Sequence, residues 1–289
     1  MTLVVEGLSK RFGSNQAVNN LSFTLPRGEI LGLLGRNGAG KTTTLKMMLD
    51  LIPKNEGSVL WEGKNFSKRN VTFGYLPEER GLYPKAKVSE QLLYFAELEG
   101  MKRKQAKEKI KEWLERFEIS HYHNSTAGEL SKGNQQKVQI IATILHNPDI
   151  VILDEPFSGL DPVNADLLSR IIQEEVHKGK TFILSSHRMD KIEQFCQHII
   201  MMKAGNPVVQ GTVKEIKESY GYRYLRVLPE VDQPLSSEWE KNGLYYEQKV
   251  KSDDEGLALL QEVKASGITI REFTLLEPTL HEVFVEKVR

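Results

Sequence analysis

Two rhythms of apolar and polar residues divide the chain. Near the N-terminus the period is two. Thr2 to Glu6 is a short β-rich run, and Leu21-Ser22-Phe23-Thr24-Leu25 alternates as a half-buried strand does. Glu29-Ile30-Leu31-Gly32-Leu33-Leu34 is apolar without a break, the pattern of a parallel strand buried on both faces. Thr43 to Leu51 predicts a helix behind it, and after a break at 53–57, Ser58–Trp61 and Val71–Leu76 predict further strands. From Val88 to about Phe117 the period becomes helical, with apolar residues at Leu92, Leu93, Phe95, Ala96 and Leu98, then at Ile110, Trp113, Leu114 and Phe117. Ser131 to Asn147 predicts another helix, ended by Pro148; Ile150–Leu153 is a strand, Val163–His177 a helix, and Thr181–Leu184 a strand. Alternating helices and apolar strands predict a parallel sheet covered on both faces. A boundary falls near Gly211 to Gly221. Beyond it, strands at 222–228, 244–250 and 268–275 and helices at 255–265 and 278–288 predict a small α+β domain.

Composition narrows the picture. Lys plus Arg and Asp plus Glu both number 39, so the formal net charge is zero and no nucleic-acid partner is expected. The run Lys102-Arg103-Lys104-Gln105-Ala106-Lys107 is a solvated helix start. The single cysteine, Cys196, belongs to no disulfide within the chain and sits in Ile192-Glu193-Gln194-Phe195-Cys196, the buried side of a predicted helix. No apolar run approaches the length of a membrane span, and the N-terminus lacks a secretory pattern, which places the chain in the cytoplasm unless a partner holds it at a membrane.

The chemistry centres on Gly35-Arg36-Asn37-Gly38-Ala39-Gly40-Lys41-Thr42, followed by Thr43. Strand, glycine loop and helix succeed one another as a phosphate-binding loop requires. Glycines let backbone N–H groups converge on a phosphate, and the helix N-terminus adds partial positive charge. Lys41 supplies a cation to the outer phosphates, and the Thr42 hydroxyl suits magnesium. A phosphate-loop enzyme that hydrolyses a triphosphate also needs an acid at the end of a neighbouring apolar strand. Asp154, closing Ile150–Leu153, supplies it, and the adjoining Glu155 is placed to take a proton from attacking water.

Five motifs in order carry a resemblance. The loop Gly35 to Thr42 resembles a Walker A motif, and Leu130-Ser131-Lys132-Gly133-Asn134-Gln135-Gln136 resembles the signature of the ATP-binding cassette family. Ile150 to Glu155 resembles its Walker B strand, Ser158-Gly159-Leu160-Asp161-Pro162 its D-loop, and Ser185-Ser186-His187 its switch histidine. The resemblance implies an α/β phosphate-loop NTPase cassette: a mixed and parallel sheet core, an antiparallel β subdomain and a helical subdomain, plus the small C-terminal α+β domain. Its domains would be 1–215, with the helical subdomain at about 86–145, and 216–289.

By position, the resemblance implies that Phe12 stacks on adenine, that Asn37, Gly38, Ala39, Gly40, Lys41, Thr42 and Thr43 hold the nucleotide, and that Glu155, His187 and Lys41 are catalytic. Ser131, Gly133 and Asn134 would close on ATP held by a second cassette in a homodimer; Asp161 belongs to the D-loop; and Thr42, Asp154 and Glu78 would meet Mg²⁺. Two departures stand out. Lys132 and Asn134 replace a glycine and a glutamine of the usual signature, and Glu78 stands where the family's Q-loop carries glutamine. Glutamate would meet magnesium as a charged ligand.

The stretch Glu79-Arg80-Gly81-Leu82-Tyr83-Pro84 and the C-terminal domain, with Glu277-Pro278-Thr279-Leu280, resemble bacterial export cassettes of the sodium, drug or bacteriocin group. This resemblance implies the ATP-hydrolysing subunit of an exporter, held on the inner membrane face by a separately encoded permease. Two alternatives are a soluble cassette ATPase acting on ribosomes or DNA and a non-hydrolysing nucleotide-gated module. One cassette per chain and the absence of coiled-coil or zinc-binding insertions disfavour the first; Glu155 and His187 disfavour the second.

Overall fold

The computed structural model describes residues 2–79, 81–236 and 238–288. Arg80, part of the export-type stretch, lies outside the described residues. Two compact units divide the chain between Gln210 and Gly211. In order, the first comprises β1 (Thr2–Phe12), β2 (Asn15–Pro26), β3 (Ile30–Gly35), α1 (Lys41–Met48), β4 (Glu56–Trp61), β5 (Lys64–Asn65), β6 (Phe73–Leu76), α2 (Val88–Leu98), α3 (Arg103–Arg116) and α4 (Lys132–Ile144). It continues with β7 (Ile150–Asp154), α5 (Pro162–His177), β8 (Thr181–Ser186), α6 (Met189–Phe195), β9 (His198–Lys203) and β10 (Asn206–Thr212), whose last residues pass the division.

Strands β2-β1-β4-β5 form an antiparallel sheet; β10-β9-β3-β8-β7-β6 form the central sheet, in which β9, β3, β8, β7 and β6 pair parallel. Every residue of β3, β7 and β8 is buried, as their unbroken apolar runs require when both faces are covered. One face places Leu31 and Leu33 of β3, Ile183 of β8, and Ile150 and Ile152 of β7 in one core with Leu45 and Met47 of α1 and with Val5, Leu21 and Trp61 of the antiparallel sheet. Phe73 and Tyr75 of β6 pack against that core. Side chains two apart on a strand share a face. Continued by one step, this alternation puts Gly35, Ser185 and Asp154 on the same face at the carboxyl ends of β3, β8 and β7. The chemistry therefore sits where the apolar face runs out.

Two glycines set distances within the sheet. A Cβ on Gly74 of β6 would meet the Thr143 carbonyl of α4 at 2.0 Å, so that helix lies directly on the backbone of the strand. A Cβ on Gly32 of β3 would meet Ile192 Cγ2 at 2.4 Å and Cys196 Sγ at 3.3 Å, which fixes α6 against β3. Cys196 follows the last residue of α6 rather than lying within it, and its burial pushes the thiol pKa up.

The second unit comprises α7 (Val213–Ser219), β11 (Arg223–Pro229), β12 (Glu240–Asn242), β13 (Tyr245–Val250), α8 (Asp253–Ala265), β14 (Ile270–Leu276) and α9 (Leu280–Val288). Its strands form an antiparallel sheet in the order β12-β13-β11-β14. Leu225, Val227, Tyr246 and Val250 on one face pack with Leu260 and Val263 of α8.

The structure departs from the sequence expectations in extent. The runs expected at 2–6 and 21–25 belong to two long strands that meet at a turn of Gly13 and Ser14, with Gly13 at φ 57°. Helix α1 begins at Lys41, not Thr43, so the lysine of the loop already lies in the first helical turn.

Candidate functional site

A cavity of about 500 Å³ opens over the loop between β3 and α1. Asn37, Gly38, Ala39, Gly40, Lys41, Thr42 and Thr43 line it, and so do Phe12, Glu78 and Glu155. The structure thus brings all eight of the expected nucleotide residues to one place. Gly38 and Gly40 have φ of 80° and 106°, which only glycine adopts without strain. At Gly40 a Cβ would also strike the Ala17 carbonyl at 2.4 Å. Phe12 ends β1 at the cavity's rim, with its ring 51% exposed and Lys10 Nζ 5.0 Å from the ring centre. An exposed aromatic face beside a cavity suits a planar ring. Asn15, Gln16, Ala17 and Ala204 complete the lining. Sequence reasoning missed these four, because only the pairing of β1 with β2 carries residues 15–17 back beside Phe12, and only the turn between β9 and β10, bonded through the Gly205 N–H to the Ala39 carbonyl, brings Ala204.

Lys41 is buried and satisfied. Its Nζ donates to the Gly35 carbonyl at 2.8 Å and to the Arg36 carbonyl at 3.4 Å, and it lies 3.5 Å from Glu155 Oε1. That last distance is an ion pair without a hydrogen bond, and Oε1 has no hydrogen-bond partner. Glu155 Oε2 lies 2.9 Å from His187 Nδ1 and accepts from the His187 N–H at 3.4 Å. Glu155 has φ 51°, a left-handed conformation unusual outside glycine. Its N–H donates to both the carbonyl and the Oγ of Ser185 at 3.1 Å, which holds the residue in that turn. The carboxylate therefore sits between a lysine ammonium and an imidazole, with one lone-pair face free.

Asp154 is fully buried at the end of β7. Ser185 Oγ donates to its Oδ1, while Oδ2 has no partner. A buried carboxylate oxygen without a donor suits a hard cation.

The signature residues stand apart. Ser131 caps α4, its Oγ accepting from the Asn134 N–H at 3.3 Å, and Gly133 faces the Gly159 carbonyl, which a Cβ would meet at 3.3 Å. Asp161 caps α5 and accepts from the Asn164 N–H at 2.9 Å; hydrogen bonds from the Asn164 backbone and side chain hold its carboxyl below the usual range. Ser131, Gly133, Asn134 and Asp161 do not line the cavity of their own chain.

An apolar groove of about 370 Å³ lies elsewhere on the first unit. Leu49 and Leu51 after α1, Tyr75 and Leu76 of β6, and Phe95 and Leu98 of α2 line it.

Comparison with known proteins completes the picture. Residues 18–158 match the family model described as ABC transporter, and residues 211–288 match that of the C-terminal domain of DrrA1-3-like ATP-binding proteins. The chain is 43% identical to the ABC transporter ATP-binding protein YhaQ of Bacillus subtilis, over 99% of this chain and 98% of that one. It is 35% identical to NatA of the same organism, over 73% of this chain and 89% of that one. The Nod factor export ATP-binding protein I of Burkholderia lata is 34% identical, over 73% of this chain and 71% of that one. A solved ATP-binding subunit of an ABC transporter superposes with a TM-score of 0.70 at 29% identity, covering 76% of this chain and 94% of that one.

Proposed function

The chain belongs to the ATP-binding cassette transporter family, as the ATP-binding and hydrolysing subunit of an exporter, and on that premise we propose how its residues divide the work. The observation that carries the reading is Glu155, held between Lys41 and His187 at the edge of the loop cavity.

The backbone N–H groups of the loop and of the first turn of α1 bind the β- and γ-phosphates. Phe12 stacks on the adenine. Lys41 leaves its carbonyl partners and Glu155 for the incoming phosphate oxygens, trading one anionic partner for another. A bound Mg²⁺ would supply positive charge to offset the negative charge of the phosphates. Asp154, through its unpartnered Oδ2, Thr42 and Glu78 are the residues that would hold it. Glu155 accepts a proton from water as the water oxygen bonds to the γ-phosphorus. The bond from that phosphorus to the β–γ bridging oxygen breaks, and its electron pair stays on ADP. His187 keeps Glu155 aimed at the water through the Nδ1 contact and reaches toward the γ-phosphate.

The signature completes the site in a homodimer. Ser131, Gly133 and Asn134, exposed or half-exposed at the start of α4, close on ATP held by a second copy, with Asp161 at the seam. The apolar groove between α1 and α2 seats a separately encoded permease, because Leu51 and Leu98 stand exposed at the edge of a lining rich in apolar side chains. Among the described residues no helix is long and apolar enough to cross a membrane, so the permease supplies the membrane path and holds the cassette at the inner face. The likeness to the Nod factor export protein favours outward transport, and the export-type resemblance of the sequence extends the cargo class to sodium ions, drugs or peptides.

The test is size-exclusion mass analysis of Glu155→Gln with and without ATP and Mg²⁺. A dimer that forms only with ATP, and fails to form when Ser131→Arg is added, supports the composite site. A monomer under both conditions refutes dimerisation by the cassette alone.

A further inference from the structure

Asp154 occupies the middle of three strand ends, and the strands on either side each present one hydroxyl to its neighbourhood. On the β8 side, Ser185 is paired in register with Asp154, has no solvent exposure, and donates its Oγ proton to Oδ1. The same Oγ accepts the Glu155 N–H at 3.1 Å, so one hydroxyl is bonded to both acidic residues of the site. On the β6 side, Tyr75 pairs with Ile152, two residues before Asp154, and strand alternation gives Tyr75, Ile152 and Asp154 the same face. The Tyr75 hydroxyl is buried and has no partner. Burial, then the charges of Asp154 and Glu78, push its pKa up, so the phenol stays protonated at any pH at which the protein works.

Two buried polar atoms without partners therefore lie on one face at one end of the sheet: Asp154 Oδ2 and Tyr75 Oη. An unmade hydrogen bond in the interior is costly, and a chain that keeps two together is incomplete without something between or beside them. The metal assigned to Asp154 accounts for Oδ2, and leaves Tyr75 Oη unexplained.

We propose that Ser185 and Tyr75 are positioning residues for the metal carboxylate: Ser185 engages Oδ1 and so commits Oδ2 to Mg²⁺, and Tyr75 hydrogen-bonds a water of the metal's shell. This rests on the assignment of Asp154 to Mg²⁺. The division of labour comes from the donors. A carboxylate with both oxygens bonded to protein donors is a poor metal ligand, and one with neither is free to turn. With Oδ1 engaged by a neighbouring strand, the carboxylate plane is fixed and one oxygen remains. Groups that orient a metal ligand in this way typically alter metal affinity or activity 10- to 100-fold when removed. Ser185 also ties the metal acid to the proton acceptor, because any shift of its hydroxyl disturbs the Asp154 carboxylate and the Glu155 backbone together.

The experiment titrates Mn²⁺ into the full-length protein saturated with a non-hydrolysable ATP analogue, read by electron paramagnetic resonance. Ser185→Ala is expected to raise the half-saturating Mn²⁺ concentration about 10-fold or more, and Tyr75→Phe several-fold. Nucleotide affinity in EDTA stays at the parent value for Tyr75→Phe and moves less than Mn²⁺ affinity does for Ser185→Ala. That split separates positioning of the metal from general damage to the fold. Tyr75→Phe removes only an unpartnered buried oxygen and keeps the ring, so its melting temperature without ligand stays level or rises, and it decides the matter if Ser185→Ala does not fold. Mn²⁺ curves of both variants that superpose on the parent would overturn the proposal. A shift in Ser185→Ala alone would overturn the part given to Tyr75. If the parent protein takes up no Mn²⁺ with the analogue bound, the metal role of Asp154 itself falls, and this inference with it.

Discussion

Glu155→Gln replaces one oxygen by nitrogen in a side chain only 8% exposed, with two measurable consequences. The first is kinetic. The amide cannot take the proton from water, and loss of a general base lowers rates about 10²- to 10⁴-fold. The second concerns binding. Lys41 Nζ lies 3.5 Å from Glu155 Oε1, and at an effective dielectric constant of about 20 that separation corresponds to about 5 kcal/mol of attraction. Removing two buried ions from water offsets most of it, leaving a net of about 1–2 kcal/mol. The incoming γ-phosphate must displace this contact and also meets the like charge of the carboxylate. Glutamine removes both obstacles, so ATP should bind the variant about 10-fold tighter, since about 1.4 kcal/mol is a factor of ten. Equilibrium titration with a fluorescent ATP analogue measures the second effect, and single-turnover hydrolysis of radiolabelled ATP the first. Hydrolysis within threefold of the parent would refute the role of Glu155 as proton acceptor. Weaker ATP binding would refute the competition between Glu155 and phosphate for Lys41.

Single contacts give further expected outcomes. Phe12→Ala should weaken ATP binding by about 1–3 kcal/mol, the worth of one base stacked on an aromatic ring, while Phe12→Trp keeps it; calorimetric titration distinguishes the two. Burial alone would raise the carboxyl pKa of Glu175, but hydrogen bonds from Lys178 and Arg116, and then the charge of Lys180, hold it below its ordinary value of 4.5. A depressed folded-state value gives stability that is present above the unfolded-state pKa and is lost as pH falls through the folded one. Melting temperature should therefore drop in acid below about pH 4.5. Glu175→Gln should flatten that acid dependence while costing about 1–3 kcal/mol at neutral pH, the range for a buried partner left unsatisfied. Gly74→Ala should destabilise by at least the roughly 1–3 kcal/mol typical of overpacking, because the new methyl would fall 2.0 Å from the Thr143 carbonyl; urea unfolding midpoints test it.

The central sheet was legible because β3, β7 and β8 are apolar throughout, and the loop and its acidic partner are recognisable from residue types that few other functions require together. Strand extents were not. Ser9 and Lys10 interrupt the apolar pattern of β1, yet both are buried, with Lys10 Nζ donating to the Pro53 carbonyl. β12 escaped notice because Glu240, Lys241 and Asn242 are all exposed and polar, and only pairing with β13 makes them a strand. The network around the acidic pair was equally hidden. Ser185 lies some thirty residues from Asp154 and Glu155, and nothing in its neighbours announces that its hydroxyl bonds to both. Sequence reasoning identifies reactive groups by type. The groups that aim them are found only when the strands are laid side by side.

The contact of Gly32 with Cys196 offers a clock. The sole thiol of the chain lies buried where α6 closes on β3, nine residues beyond His187. A thiol reagent in solution reaches it only during moments when that closure opens, so the labelling rate counts those openings. Because β3 leads into the loop at Gly35 and α6 follows shortly after His187, each labelling event marks a separation of two elements that lead to the site. The native sequence thus carries its own probe of breathing between α6 and β3, with no residue added to report it.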